Sequence, residues 1–307
     1  MSVVTIAAAL ALDSVLGEPR RAHPLVGFGW IAQVLERWLH PGGAVAPRLA
    51  FLRGALAWSL AVLPLTASTV AAVRSLPQPA SMLFEVAVLY LAIGHRSLRE
   101  HARQVASALL AGDLAGARGA VARIVSRDTA DMDKSRVAAA TVESVLENGN
   151  DALFAPLFWF ALAGAPGAVL YRLANTLDAM WGYRSARYLH FGRCAARADD
   201  LLNYLPARLA ALSYALCGTL RLALACWRAQ APAWDSPNAG PVMAAGAGSL
   251  RLRLGGGAFY RGVWHERPAL GIGATPGARD IARACRLVLH ALLLWIAALA
   301  ALELAHD

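Results

Sequence analysis

Lysine is almost missing from this 307-residue chain: of 29 Lys and Arg residues only Lys134 is a lysine. Charge of either sign is scarce as well, at 16% of residues against the roughly 25% of a soluble domain, while 58% are hydrophobic. The apolar excess rules out a disordered chain, and 26 glycines without a triplet repeat rule out collagen. Cys194, Cys217, Cys226 and Cys285 show no paired CxxC spacing, so neither a disulfide-stapled module nor a zinc ribbon is expected, and a reducing compartment is compatible. No HExxH, GxSxG, Walker A or GxGxxG pattern occurs, which removes the usual marks of zinc proteolysis, serine hydrolysis and the common nucleotide loops. The formal net charge is +9, yet the arginines are scattered beside apolar segments rather than gathered in one patch with aromatics. No nucleic-acid partner is expected. Positively charged loops flanking a lipid bilayer account for the pattern better.

What is present is long apolar runs. About 20 apolar residues cross a bilayer, and Gly54 to Val73 and Ala152 to Tyr171 each run 20 residues without a charge. Weaker candidates are Val3 to Leu12, Ala80 to Gly94 with Glu85, Leu209 to Trp227 with Arg221, and Leu287 to Leu302. The first of these has no Lys or Arg before it and no clear cleavage site, and is read as retained rather than as a signal peptide. The Arg-rich regions at 18–53, 96–151, 172–208 and 228–286 would all face the cytoplasm by the positive-inside rule, which strict alternation of six crossings forbids. Roughly four to six spans are therefore expected. The Gly164-Ala165-Pro166-Gly167 break suits a re-entrant hairpin within 152–171.

The sequence is thus expected to be mainly α: a polytopic integral membrane helical protein, a single membrane-embedded unit over 1–307. Within it, 96–151 reads as a polar, cytoplasmic helical insert, with Gly112-Asp113 separating two amphipathic helices. Residues 228–286 read as a polar loop region with a Gly-rich segment, and only "SLRLRLGGG" hints at a strand.

Several polar constellations stand beside these runs. Glu143 and Glu147 share a helix face, followed by Asn148-Gly149-Asn150-Asp151, a turn expected to end the helix and open a membrane segment; a solvated helix end with a glycine cap fits the same letters. Arg127-Asp128-Thr129 with Asp131 and Asp133 marks a helix start, where a cap explains one acid. "NTLDAMWGY" from Asn175 and "ADDLLNYLPARL" from Ala198 set Asp178 in the first segment, and in the second Asp199 and Asp200 on the helix face of Asn203. Such oxygen clusters suit Mg²⁺, which uses one or two carboxylates plus substrate phosphates. Ser236-Pro237-Asn238-Ala239-Gly240 and Gly255-Gly256-Gly257 read as Gly-rich loops near Arg251, Arg253 and Arg261, able to hold a phosphate. "LDSVLGEPRRAHP" carries Asp13, Glu18, Arg20, Arg21 and His23 in an interfacial turn.

Taken in order, "LGEPRRAHP", "SRDT", "VESVLENGND" leading into "APLFWFALAGAPGAVLYRLANTLDAMWGY", "RYLHFGRCAARADDLLNYLPARL", "SPNAG" and "LGGGAFYRG" resemble the adenosylcobinamide-phosphate synthase family of cobalamin biosynthesis. The likeness runs from about residue 12 to 271 and is most specific from Glu143 to Leu209. Glu18 stands where the family more often has Asp, "ENGND" replaces a more usual "ENTSD", and "GGGAFYRG" is a loose version of its loop.

The resemblance implies an ATP-dependent ligase with Mg²⁺ that joins adenosylcobyric acid to an amino-alcohol phosphate, such as (R)-1-amino-2-propanol O-phosphate. It also implies a multi-pass protein of the cell (inner) membrane with its active face cytoplasmic, in the lipid bilayer and open to complexes with other cobalamin-pathway enzymes. Glu143, Glu147, Asp151 and Asp178 are then the catalytic candidates, and Asp199, Asp200 and Glu147 the metal ligands. Arg127, Arg197 and Arg208 supply phosphate charge, and Asn148, Asn175, Asn203, Ser236 and Asn238 complete the substrate-binding set. Trp159, Trp181, Tyr183 and Tyr188 are candidates to line a corrinoid site, although an interfacial aromatic belt explains them too. Two alternatives stay open: a Mg²⁺-dependent membrane prenyltransferase, because "NTLD" and "DDLLN" echo paired diphosphate boxes, and a non-enzymatic sensor or transporter component.

Overall fold

The structure, a computed structural model, describes residues 3–19, 23–40, 42 and 45–305. Arg20 and Arg21 of the interfacial turn lie outside the described residues. In chain order come α1 (Val3–Leu16), α2 (Pro24–Leu39), α3 (Pro47–Ser75), α4 (Ala80–Ala92), α5 (His95–Leu110), α6 (Leu114–Val121) and α7 (Lys134–Gly149). A π-helical turn (Asn150–Phe154) leads into α8 (Ala155–Trp181), followed by α9 (Arg193–Cys217), α10 (Leu220–Gln230) and α11 (Ala239–Leu250). Four short strands, β1 (Leu254–Gly255), β2 (Ala258–Tyr260), β3 (Val263–His265) and β4 (Ala269–Leu270), precede α12 (Ala278–Leu304). The fold is mainly α, as expected.

Helix boundaries follow local chemistry. Pro24 opens α2 with its fixed φ, and His23 Nδ1 accepts from the Leu25 amide at 3.1 Å. Gly112 turns the chain at φ 78°, after which the Asp113 carboxylate accepts from the Gly116 amide at 2.8 Å and caps α6. The expected break at 112–113 is therefore present. Asp133 caps α7 in the same way, through the Arg136 amide at 2.8 Å.

Among the described residues four helical runs are long and apolar enough to cross a membrane: Pro47–Ser75, Ala80–Leu110, Lys134–Trp181 and Ala278–Leu304. Val3–Leu16 is apolar but shorter. Leu52, Leu56, Leu60 and Leu63 of α3 are exposed, an apolar surface that lipid rather than water satisfies. The expected run from Leu209 to Trp227 is interrupted instead, because α9 ends at Cys217 and α10 starts at Leu220. Between them Gly218 lies so close to Ser249 that a Cβ would stand 2.5 Å from the serine Cβ. Inside α8 the backbone breaks at Ala163 (φ −138°, ψ 17°) and Gly164 (φ 64°, ψ −155°), just before Pro166, which has no N–H to give the helix. The break anticipated at Gly164 is there.

The described chain forms two compact units. Residues 1–94 and 155–203 make the first, in which α8 packs on α2, α3 and α4, and α1 packs on α4. Its core includes Phe28, Ala57, Val62, Leu177, Trp181 and Phe191. Residues 95–154 and 204–307 make the second, in which α7 packs on α5, α6, α11 and α12. There the strands form two antiparallel pairs, β1 with β4 and β2 with β3. Only β1 had a signal in the sequence.

Candidate functional site

In the first unit, α8 and α9 bring the two oxygen-rich segments together. Asp199 on α9 accepts from Asn175 Nδ2 of α8 at 3.1 Å, and both its oxygens accept from Asn203 Nδ2, each at 3.1 Å. Asn203 is fixed in turn by the buried Tyr171, whose hydroxyl donates to Asn203 Oδ1 at 3.0 Å. Asp178 lies within electrostatic reach of Asp199 and Asp200. Burial pushes the Asp199 carboxyl above its ordinary range, and the two asparagine donors pull it back only in part. Burial also raises Asp200, opposed by Arg184. Neighbouring carboxylates held by amide donors suit a hard divalent ion. Among the described residues no three His, Cys, Asp or Glu side chains come together as a group that could hold a metal ion. Arg197 is exposed on α9.

The aromatic candidates of this unit are already engaged. Trp181 is fully buried and its Nε1 donates to Glu36 at 3.1 Å. Glu36 also accepts from the Tyr188 hydroxyl at 3.0 Å and from Arg187 at 2.6 and 2.9 Å. Trp159 Nε1 donates to the Leu202 carbonyl at 2.9 Å. Trp181 therefore belongs to the core and cannot line an open ligand site, and only Tyr183 of the four is well exposed. The Glu36 hub carried no sequence signal.

In the second unit the centre is Glu143, whose side chain is 2% exposed. It accepts from Arg127, from Arg267 Nη2 at 2.8 Å and from the Gly255 amide at 2.8 Å. A buried carboxylate needs such compensation. Gly255, at φ 76°, sits so tightly on Pro268 that a Cβ would collide with the proline carbonyl, and this lets β1 present its amide to the acid. Arg267, absent from the expected site, stacks on Trp234 at 4.7 Å, and its Nη1 is buried without a hydrogen-bond partner among the described residues. Glu147 lies one turn beyond Glu143, and its carboxylate makes no ion pair among the described residues. Asn148 bends back to the Ser144 carbonyl and hydroxyl at 2.9 and 3.1 Å.

The "ENGND" turn does not end the helix. The backbone runs on through the π-helical turn, in which Asn150 Nδ2 donates to Asp151 Oδ1 at 2.8 Å. The Tyr214 hydroxyl donates to the Leu146 carbonyl at 3.0 Å, and Gly149 has no Cβ to block that hydroxyl. A π-turn shifts the i→i−4 ladder and leaves such a carbonyl in need of an outside donor. "SPNAG" likewise proves to be a helix start rather than an open loop: Ser236 Oγ accepts from the Asn238 and Ala239 amides at 3.3 and 3.1 Å. Arg208 donates to Asn238 Oδ1 at 3.1 Å and covers the Tyr204 ring, so three expected residues, Arg208, Ser236 and Asn238, do meet.

The family model described as CobD/Cbib protein matches residues 6–288. A cobalamin biosynthesis protein CobD of Chromobacterium violaceum is 58% identical over 298 residues, covering 96% of this chain and 95% of the relative. One of Stutzerimonas stutzeri is 59% identical over 297 residues, covering 96% of each. One of Mycobacterium tuberculosis is 39% identical over 279 residues, covering 89% and 87%. No solved structure matches the chain. The chain belongs to the CobD/Cbib family, in agreement with the resemblance of its motifs, and the prenyltransferase and non-enzymatic alternatives fall away.

Proposed function

We propose that this protein, an adenosylcobinamide-phosphate synthase of cobalamin biosynthesis, joins adenosylcobyric acid to an amino-alcohol phosphate with ATP and Mg²⁺ as the activating pair. A carboxylate does not condense with an amine unaided, and phosphoryl transfer from ATP supplies a leaving group, most simply as an acyl phosphate. Such a transfer depends on positioning and charge neutralisation more than on covalent chemistry by the protein. When bound, Mg²⁺ offsets phosphate charge. Asp199 and Asp200 are the residues that would hold it beside substrate phosphates, with Asn175 and Asn203 fixing Asp199. The Asn175 and Asn203 donors that fix Asp199 next to Asp200 are the observation that carries this assignment.

Glu143 organises Arg127, Arg267 and the Gly255 backbone into one rigid group. Glu147, one turn away and unpaired, takes the proton that the attacking amine must lose. The Arg content of 96–151 and 172–208 favours the cytoplasm, where ATP is found, for both; this requires the run broken at Gly164 to turn back, as the re-entrant hairpin expected within 152–171 would, rather than to cross once. The test uses purified protein in detergent with adenosylcobyric acid, aminopropanol phosphate, ATP and Mg²⁺. ATP-dependent amide formation, lost in Glu147→Gln and Asp200→Asn variants that remain folded, supports the reading; near-normal turnover in both variants defeats the residue roles.

A further inference from the structure

The second unit contains a cavity of ≈ 470 Å³ walled by the 127–139 segment, Glu143, the Gly255–Phe259 loop and Thr275-Pro276. That volume is in the range of small-molecule sites, about 300–1,000 Å³. Half of the six charged residues on its wall have partners. Glu143 and Arg127 are paired, and the Asp128 carboxylate accepts from the Gly262 amide at 2.7 Å. The other three, Asp131, Arg136 and Arg253, are exposed to solvent along the cavity and make no ion pair and no side-chain hydrogen bond among the described residues. Two cations and one anion thus stand along the cavity, solvated and free to meet a ligand of paired charge.

Neighbouring backbone favours a phosphate beside the two arginines. Arg136 and Ser135 stand in the first turn of the 16-residue α7, beside the Asp133 cap that already accepts from the Arg136 amide. Gly256 holds φ 80° with nothing within 4 Å of a built Cβ, so that face of the loop leaves room for a ligand. The other two arginines near this loop point elsewhere. Arg251 caps α11 and donates to Thr219 at 3.2 Å, and Arg261 occupies the β2–β3 turn at φ 52°.

We infer that this cavity binds the amino-alcohol phosphate as a zwitterion, with Arg136 and Arg253 on its phosphate and Asp131 on its ammonium. The inference deepens the functional reading above and rests on it for the identity of the ligand, though not for the ligand's paired charges. A nucleoside triphosphate has no ammonium for Asp131 to meet, and an inorganic anion leaves that carboxylate opposed. Arg127, engaged by Glu143, here holds the wall rather than the phosphate.

Arg136→Gln, Arg253→Gln and Asp131→Asn are made in the full chain, with Arg261→Asn removing a charge outside the cavity as control. Binding of O-phosphoethanolamine is measured by calorimetry in detergent, alongside KM for aminopropanol phosphate and for ATP. Each cavity variant is expected to weaken O-phosphoethanolamine and raise KM for aminopropanol phosphate by about tenfold, the loss of one charge-assisted contact. KM for ATP and the control should stay within about twofold. Loss of Asp131 should leave the weak binding of inorganic phosphate undiminished or tighter, a selectivity that general destabilisation would not produce. A rise in KM for ATP instead would make the cavity a nucleotide site, and unchanged binding in folded variants would remove the site; either outcome overturns the inference. If wild-type protein forms no amide but binds O-phosphoethanolamine through these residues, the functional reading fails while the binding site stands.

Discussion

Glu143 and Arg267 are separated by 124 residues of chain and meet at 2.8 Å in a place where neither is more than 13% exposed. Breaking such a pair by removing one partner costs about 3–5 kcal/mol because the survivor stays buried and charged. Glu143→Gln should therefore lower the thermal midpoint in detergent sharply. Arg267→Met should do the same, and the double variant should lose clearly less than the two single losses added together. Additive losses would show that the two side chains are not coupled.

The Tyr214 hydroxyl and Gly149 make a second coupled pair. Tyr214→Phe leaves the buried Leu146 carbonyl without its donor, at a cost of about 1–3 kcal/mol. Gly149→Ala drives a methyl group into the same hydroxyl. Chemical denaturation of the two single variants and the double should show that removing the hydroxyl relieves part of the alanine's penalty.

Asp199 and Asp200 give the protein a directional response to pH. A carboxyl raised on folding contributes stability below its unfolded value of roughly 3.9, and that contribution is lost as pH climbs through the higher folded value. Mg²⁺ binds the deprotonated form, so the thermal shift produced by added MgCl₂ should be larger at about pH 8 than at about pH 5. Asp199→Asn should abolish the difference. An equal shift at both pH values in the native protein would count against Mg²⁺ on these residues.

Topology can be read with a thiol reagent. In a chain freed of its four native cysteines, Arg197→Cys is expected to react with an impermeant maleimide only after the inner membrane is opened. Labelling of intact spheroplasts would place that segment on the other face.

The helical spans, the turn at Gly112-Asp113 and the break at Gly164 were legible in the sequence because each is a local matter of hydropathy or backbone freedom. The meeting of Asp199 with Asn203 was legible from their spacing of four on one helix face, whereas the donor from Asn175 on α8 was not, because it depends on how two helices pack. Arg267 was not, because its role depends on a carboxylate far away along the chain and one arginine among so many announces nothing. Trp181 misled for a related reason. An indole suits a ligand wall, a membrane interface or a core equally well, and only the position of Glu36 decides among them. The π-turn was missed because "ENGND" reads as a stop when the residues alone are considered, whereas Tyr214 supplies the donor that lets the helix go on.

Every residue of α11, Ala239 to Leu250, is buried, and a methyl group added at Gly246 would stand 2.6 Å from the Leu146 side chain. Gly248 presses on the α10 backbone in the same manner, at 2.8 Å. A segment with no outward face has no neutral drift open to it: each change must be matched by another on a neighbouring helix. Deep mutational scanning should find this small, chemically plain stretch among the least permissive in the protein, although no residue of it from Gly240 to Leu250 was a candidate for the reaction.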